Sequence, residues 1–401
     1  PAYQISACLV GSEMCIRDRC TTGLVAQAQG RGDLREIESH LVRGLVLAFC
    51  LGFIFVIATP LVHVVTGALL TASDAVESLM RQYVGIRLLA VPAALANMVL
   101  LGCIFGRQQM RLAMVQIVFI NLANLALNLF FVLGLGMAIE GVAMASVVAQ
   151  WTGLAVTLGL VSWRWRDLLA GAGQRIFARR PAWFDPAAFM RFFEIGSDIT
   201  IRTLLILLSE AVLLNLAANI GDLSLAATQL ILVMFGLICF ALDGFAHAAE
   251  ALVGEAVGRR HLPMLDRVVR RTNVMAGCTA LLISALVWFG APWIVGLLTS
   301  QQDLANLTLA HWHWAAILPP VSFLAFQMDG VFIGATRSRE MRNAMLVSAG
   351  LFAVMVLVLG GIGLNGLFAA FTIYLGLRGL TLQMRMGRVR ALATPQPMEE
   401  T

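Results

Sequence analysis

Lysine is absent from the 401 residues, so the formal positive charge is carried by arginine alone, and charged residues of both signs make up only 13% of the chain. Hydrophobic residues reach 59% and the mean hydropathy is +0.84, which leaves too little polar surface to cover a water-soluble body of this length. That poverty of charge excludes a soluble globular protein and predicts an all-α polytopic membrane protein. Paired cysteines are lacking too. Cys50, Cys103, Cys239 and Cys278 fall inside apolar runs and read as small core residues without disulfides, and Cys8, Cys15 and Cys20 match no standard zinc spacing. Neither a phosphate loop nor a catalytic dyad is present, so an enzyme is not expected, no cofactor is called for and no metal site is assigned.

The net charge of +5 and a pI near 9.1 would suit nucleic acid, but the arginines sit in short stretches between apolar segments, which reads instead as orientation in a membrane. They crowd alternate connections: Arg31 and Arg35, Arg107 and Arg111, Arg164 to Arg180, Arg259 to Arg271, Arg337 to Arg342, and the C-terminal tail. The intervening connections carry Asp74, Glu77, Glu140, Asp222 and Asp303. By the excess of arginine inside, the basic set is expected to be cytoplasmic, the C-terminus with it, in a multi-pass protein of the cell (inner) membrane.

The apolar run from Trp314 to Met345 is broken by one acid, Asp329. Eight residues of helix separate it from Arg337, roughly 12 Å, which puts the carboxylate near the middle of a bilayer. Such a charge costs about 2.5–3.5 kcal/mol on insertion scales, so a functional role is the first reading, with a hydrogen-bonded structural aspartate beside it. Gly330 and Gly334 permit close helix approach, and Pro319-Pro320 can kink the same helix.

This stretch has an echo. Pro320 falls 320 − 92 = 228 residues after Pro92, and the same step carries Gly330 onto Gly102 and Gly334 onto Gly106. Leu252 to Arg259 maps likewise onto Leu24 to Arg31, and Pro292 answers Pro60 at a slightly longer step of 232. The chain therefore reads as two copies of one unit, each complete copy holding six helices, in two pseudo-symmetric bundles that run the same way through the membrane. The repeat requires an apolar helix where residues 1–20 place Glu13, Arg17 and Asp18, so a non-native leader is expected there, with the first helix and most of the second missing. The expected organisation is this leader at 1–20, an N-terminal bundle at 21–166, a linker at 167–187, a C-terminal bundle at 188–385 and a tail at 386–401.

Other polar residues lie within apolar segments. Asn121, Asn124 and Asn128, at spacings of three and four, place amides on one face of a helix over Leu112 to Leu135, where they either join helices or line a wet cavity. Glu194, Asp198 and Arg202 recur every fourth residue, a spacing that favours pairing within one helix, and Glu210 lies deeper. Asp243 and His247 are one turn apart on one face, either a hydrogen-bonded pair or a proton relay. Asp74, Glu77 and Arg81 read as a loop, and so does the basic stretch Pro263 to Arg271.

The segments TTGLVAQAQG, GRQQMR, GATRSREMRNAM, NLANLALNLFFVLGLG with EGVAMASVVAQ, and DGFAHAAEALVGEAVGRR together resemble the multidrug and toxic compound extrusion (MATE) family, in its DNA-damage-inducible F-like branch. The resemblance runs from about Thr21 to Met384. It implies twelve helices in two bundles that rock between inward-open and outward-open states, exporting cationic or amphipathic compounds against protons or sodium ions. It implies a monomer whose partners are the lipid bilayer and small molecules, not nucleic acid. By position Asp329 matches the family's tenth-helix acid, and Glu210 resembles a seventh-helix glutamate displaced by a turn. Asp243 can share the coupling role. A flippase for a lipid-linked saccharide is the nearest alternative, and a membrane-embedded enzyme the alternative from another class.

Overall fold

A computed structural model describes residues 21–63, 74–166 and 186–394. The described chain is a succession of helices: α1 (21–31), α2 (Leu34–Ile57), α3 (Asp74–Leu88), α4 (Val91–Gly106), α5 (Met110–Asn128), α6 (Ile139–Arg164), α7 (Pro186–Ile220), α8 (Asp222–Gly258), α9 (Leu262–Phe289), α10 (Ala291–Leu298), α11 (Gln302–Gly334), α12 (Ser338–Leu359), α13 (Leu364–Met384) and α14 (Met386–Ala393). Among them nine are long and apolar enough to cross a membrane, and the pair α3–α4, bent by 47°, makes a tenth. The chain divides into two compact units at Phe192/Phe193. Calls that fall on residues 1–20, 64–73, 167–185 and 395–401, the leader and most of the linker among them, lie outside the described residues.

The duplication is visible in the backbone. After α1 the chain turns through Gly32 at φ +72° and after α8 through Arg260 at φ +51°, 260 − 32 = 228 residues on. The Asp33 amide donates to the Ala28 carbonyl, and the His261 amide to Ala256. Both residues then cap the helix that follows: Asp33 Oδ1 accepts from the amides of Arg35 and Glu36, and His261 Nδ1 from Met264. The turns after α4 and α11 repeat the pattern, with Gln108 at φ +58° and Thr336 at φ +53°. Their following amides, Gln109 and Arg337, donate to Ile104 and Phe332, again 228 apart. A β-branched threonine in the left-handed region is uncommon.

Proline sets the breaks. Pro60 and Pro292 each follow a helix end, at Ala58 and Gly290. Carbonyls exposed by such breaks must be satisfied internally in lipid. Trp312 Nε1 donates to Val287 at 2.8 Å beside the α9–α10 break, and Trp151 Nε1 to Leu89 at 3.1 Å at the α3–α4 bend. Within α11, Pro320 has no amide for the Ala316 carbonyl, and Ser284 Oγ donates to it at 2.6 Å, so the helix continues through both prolines.

Each unit packs its own core. In the second, Phe235, Phe352, Phe371 and Tyr374 meet edge-on or tilted between α8, α12 and α13. Outward faces are apolar, with Phe289 83% and Leu357 84% exposed, as a lipid-facing surface requires. Two expected loops are helical instead. Pro263 to Arg271 forms the first turns of α9, with proline near its start where no amide is needed, and Asp74 begins α3. In α9 the charges of Arg267, Arg270 and Arg271 lie on the exposed side of the helix end, which composition alone does not separate from a loop.

Candidate functional site

In the second unit Asp329 is 1% exposed, on the stretch of α11 that meets α8 most closely. Glycine makes the approach possible. A Cβ on Gly330 would lie 2.2 Å from the Ala246 carbonyl oxygen, and one on Gly334 2.3 Å from that of Glu250.

Asp329 is not the solitary charge that the primary structure suggests. Arg202 from α7 and Arg378 from α13, both buried, donate to its Oδ2 atom. The other oxygen, Oδ1, is buried without a hydrogen-bond partner. Arg378 also stands over the Phe326 ring at 5.7 Å. Glu210 and Asp243 are half-buried and belong to the same electrostatic cluster: the Arg378 charge reaches Glu210, and Arg378, Glu210 and Asp243 all act on Cys239. Asp329, Glu210 and Asp243 thus share one bundle interior with Arg202 and Arg378, an excess of one formal negative charge.

The four-residue ladder on α7 finds partners on other helices. Glu194 meets Arg339; Asp198 accepts from Ser338 Oγ at 2.9 Å and Arg342 Nη1 at 2.7 Å; Arg202 goes to Asp329. One face of α7 presents all three, and their partners come from the first turns of α12 and from Asp329 of α11. His247 also meets Glu250, three residues further along α8, at 3.7 Å.

The asparagines belong to the first unit. Asn128 Nδ2 donates to Asn124 Oδ1 at 2.9 Å and Asn124 Nδ2 to Ser146 Oγ on α6 at 3.1 Å, while exposed Asn121 donates to its own helix at Ile117. The helix then loosens into a π-helical turn, Leu129–Gly134. A deeper amide cluster went unread: Asn97 Nδ2 donates to Gln150 Oε1 at 3.0 Å, and Gln116 Nε2 to the Asn97 carbonyl at 2.8 Å. Its signal was Asn97 and Gln116, each alone in an apolar run. Replacing Asn121, Asn124 and Asn128 together with alanine removes one interhelical bond, worth about 0.6 kcal/mol on average in membranes. The triple variant should therefore stay folded in the membrane, and its degradation in cells would make these amides structural.

A model of the family described as MatE matches residues 14–130 and 199–359, more than half of the chain. The chain belongs to the MatE family. DNA damage-inducible protein F of Escherichia coli K12 is 36% identical over 367 residues, 90% of this chain and 78% of that protein. Probable multidrug resistance protein NorM of Neisseria meningitidis is 24% identical over 75% of this chain, which spans 65% of NorM. Among solved structures, an outward-facing multidrug resistance MATE transporter of the MOP superfamily superposes with a TM-score of 0.84 at 17% identity, covering 97% of this chain and 87% of the other. The Vibrio cholerae MATE transporter VcmN in its bent form gives 0.83 at 15%, over 98% and 89%. This MatE protein is accordingly a multi-pass membrane transporter for small molecules and not an enzyme.

Proposed function

We propose that this MatE protein is a secondary active multidrug exporter, antiporting cationic or amphipathic compounds against protons or sodium ions by rocking-bundle alternating access. The observation that carries the reading is Asp329, buried, with Oδ2 held by two guanidinium groups and Oδ1 left open. An incoming proton or sodium ion has a bare carboxylate oxygen to occupy, and its arrival loosens the hold of Arg202 and Arg378. A local charge change is thereby tied to the packing of α7, α11 and α13, the kind of coupling that an alternating carrier needs. Glu210 and Asp243 supply the surplus negative charge that favours a cation in this bundle.

Two buried arginines also give some footing to a flippase acting on a lipid-linked saccharide, whose phosphates they would grip. Both are already engaged by Asp329, which favours the exporter. Vesicles containing the protein decide between them: imposed proton or sodium gradients should drive a lipophilic cation, and translocation of a lipid-linked saccharide without either gradient would reverse the choice.

The proposed orientation places Arg175 and Arg337 in the cytoplasm and Asp74 and Asp303 outside. Single cysteines at 74 and 303 should react with an impermeant maleimide applied to intact cells, and those at 175 and 337 only after permeabilisation. Labelling of 337 from outside would invert the assignment.

A further inference from the structure

Glu250 is 0% exposed, and neither carboxylate oxygen has a hydrogen-bond partner. It lies on α8 one turn after His247, whose Nδ1 is 3.7 Å from Glu250 Oε2 and whose side chain is 26% exposed. Eight residues separate Glu250 from the end of α8 at Gly258, so it sits roughly 12 Å inside the helix terminus.

Among the described residues the neighbouring charges have recorded partners of their own. Helices α11, α9 and α14 pack against α8. From α11 the charged group is Asp329, already bonded to Arg202 and Arg378. Helix α9 turns Leu265, Val269 and Thr272 inward and keeps Arg267, Arg270 and Arg271 exposed, while Asp266 pairs with Arg390 of α14. Arg388 of α14 and Arg385 before it go to Glu340. Along α8, Glu255 is taken by Arg259, and Asp243 belongs to the Arg378 cluster. Among the described residues His247 is therefore the group within ion-pair distance of Glu250.

The packing does not need an acid at this position. In the first copy Thr22 stands 250 − 22 = 228 residues earlier, 1% exposed, and presents its carbonyl to Gly106 as Glu250 does to Gly334. The same backbone contact is thus made by a residue with a neutral side chain. An isolated ionised carboxylate in such a place is strongly disfavoured, and a proton taken from the neighbouring imidazole relieves it.

We infer that His247 and Glu250 form a proton-binding site distinct from Asp329, in which the buried carboxyl holds one proton that reaches it through the half-buried imidazole. At 3.7 Å the atoms are beyond direct hydrogen-bond reach. Transfer takes a rotation of the imidazole or one bridging water: an N–H bond of imidazolium breaks as the carboxyl O–H bond forms, leaving neutral histidine and neutral glutamic acid. The site abuts the α8–α11 contact, where the Ala246 and Glu250 carbonyls meet Gly330 and Gly334, so its charge bears on the helix that carries Asp329.

Infrared difference spectra of the purified whole protein, stepped through pH, test this directly. The wild type should show a titrating carbonyl band of a protonated carboxylic acid that is lost in Glu250→Gln, and its midpoint should move in His247→Gln. Glu250→Thr, which installs the first-copy residue, provides a second variant if the glutamine form does not fold; the His247→Gln midpoint decides if neither does. The band should persist in Asp329→Asn, which separates this site from the coupling role proposed for Asp329. A band common to wild type and Glu250→Gln, one that never titrates, or a midpoint indifferent to His247 would overturn the inference.

Discussion

Asp329→Asn should abolish gradient-driven export of a lipophilic cation from vesicles, reducing it to the leak seen in empty membranes, while substrate binding persists. Asparagine keeps the shape and one acceptor but removes the ionisable group. The ion triad complicates the experiment, because the substitution leaves Arg202 and Arg378 buried without their counter-ion. Removing one partner of a buried pair costs about 3–5 kcal/mol, enough to lower the thermal midpoint of the protein by itself. The double variant Asp329→Asn with Arg378→Gln takes out one of the stranded cations and should recover part of that stability. If coupling resides at Asp329, the double variant is sturdier yet still does not respond to a gradient. Were it to recover export with ordinary pH and sodium dependence, Asp329 would be a structural counter-ion and nothing more.

The duplicated architecture could be read before any coordinates, because glycine and proline recur at a fixed step and mark backbone geometry that side-chain drift cannot disguise. The paired turns at Gly32/Arg260 and Gln108/Thr336 preserve that step even where residue types differ. The interior of the site was legible only in part. Asp329, Glu210 and Asp243 stood out as acids in apolar runs, and the structure gathers them in one bundle. Arg378 did not stand out, since a single arginine in YLGLRGLTLQM can equally snorkel to an interface. Whether it turns inward depends on how α13 is rotated against α11, which no local pattern encodes. The same limit explains Glu194, Asp198 and Arg202: an i,i+4 ladder shows that charges share a face, and only the packed neighbour shows whom they meet. Asn121 fell short for the converse reason, for its spacing matched Asn124 and Asn128 while its exposure did not.

Gly330→Ala should be among the most damaging single substitutions available in the second unit, although it adds only one methyl group. The new Cβ would stand 2.2 Å from the Ala246 carbonyl oxygen, and because that atom is backbone, α8 and α11 must separate or shift for it to fit. Overpacking of this kind costs about 1–3 kcal/mol, and more where the obstacle cannot swing away. The displacement also falls on the residue next to Asp329, so the hold of Arg202 and Arg378 changes with it. A lower thermal midpoint and loss of export are expected together, and Gly334→Ala, 2.3 Å from the Glu250 carbonyl, should behave alike. Gly350→Ala on α12 and Gly296→Ala on α10 meet nothing within 4 Å and serve as controls. In those helices alanine should be neutral or slightly stabilising, by up to about 1 kcal/mol. Thermal unfolding in detergent followed by vesicle export measures both effects. If Gly330→Ala melts with the controls and exports normally, the close α8–α11 contact is not what positions the site.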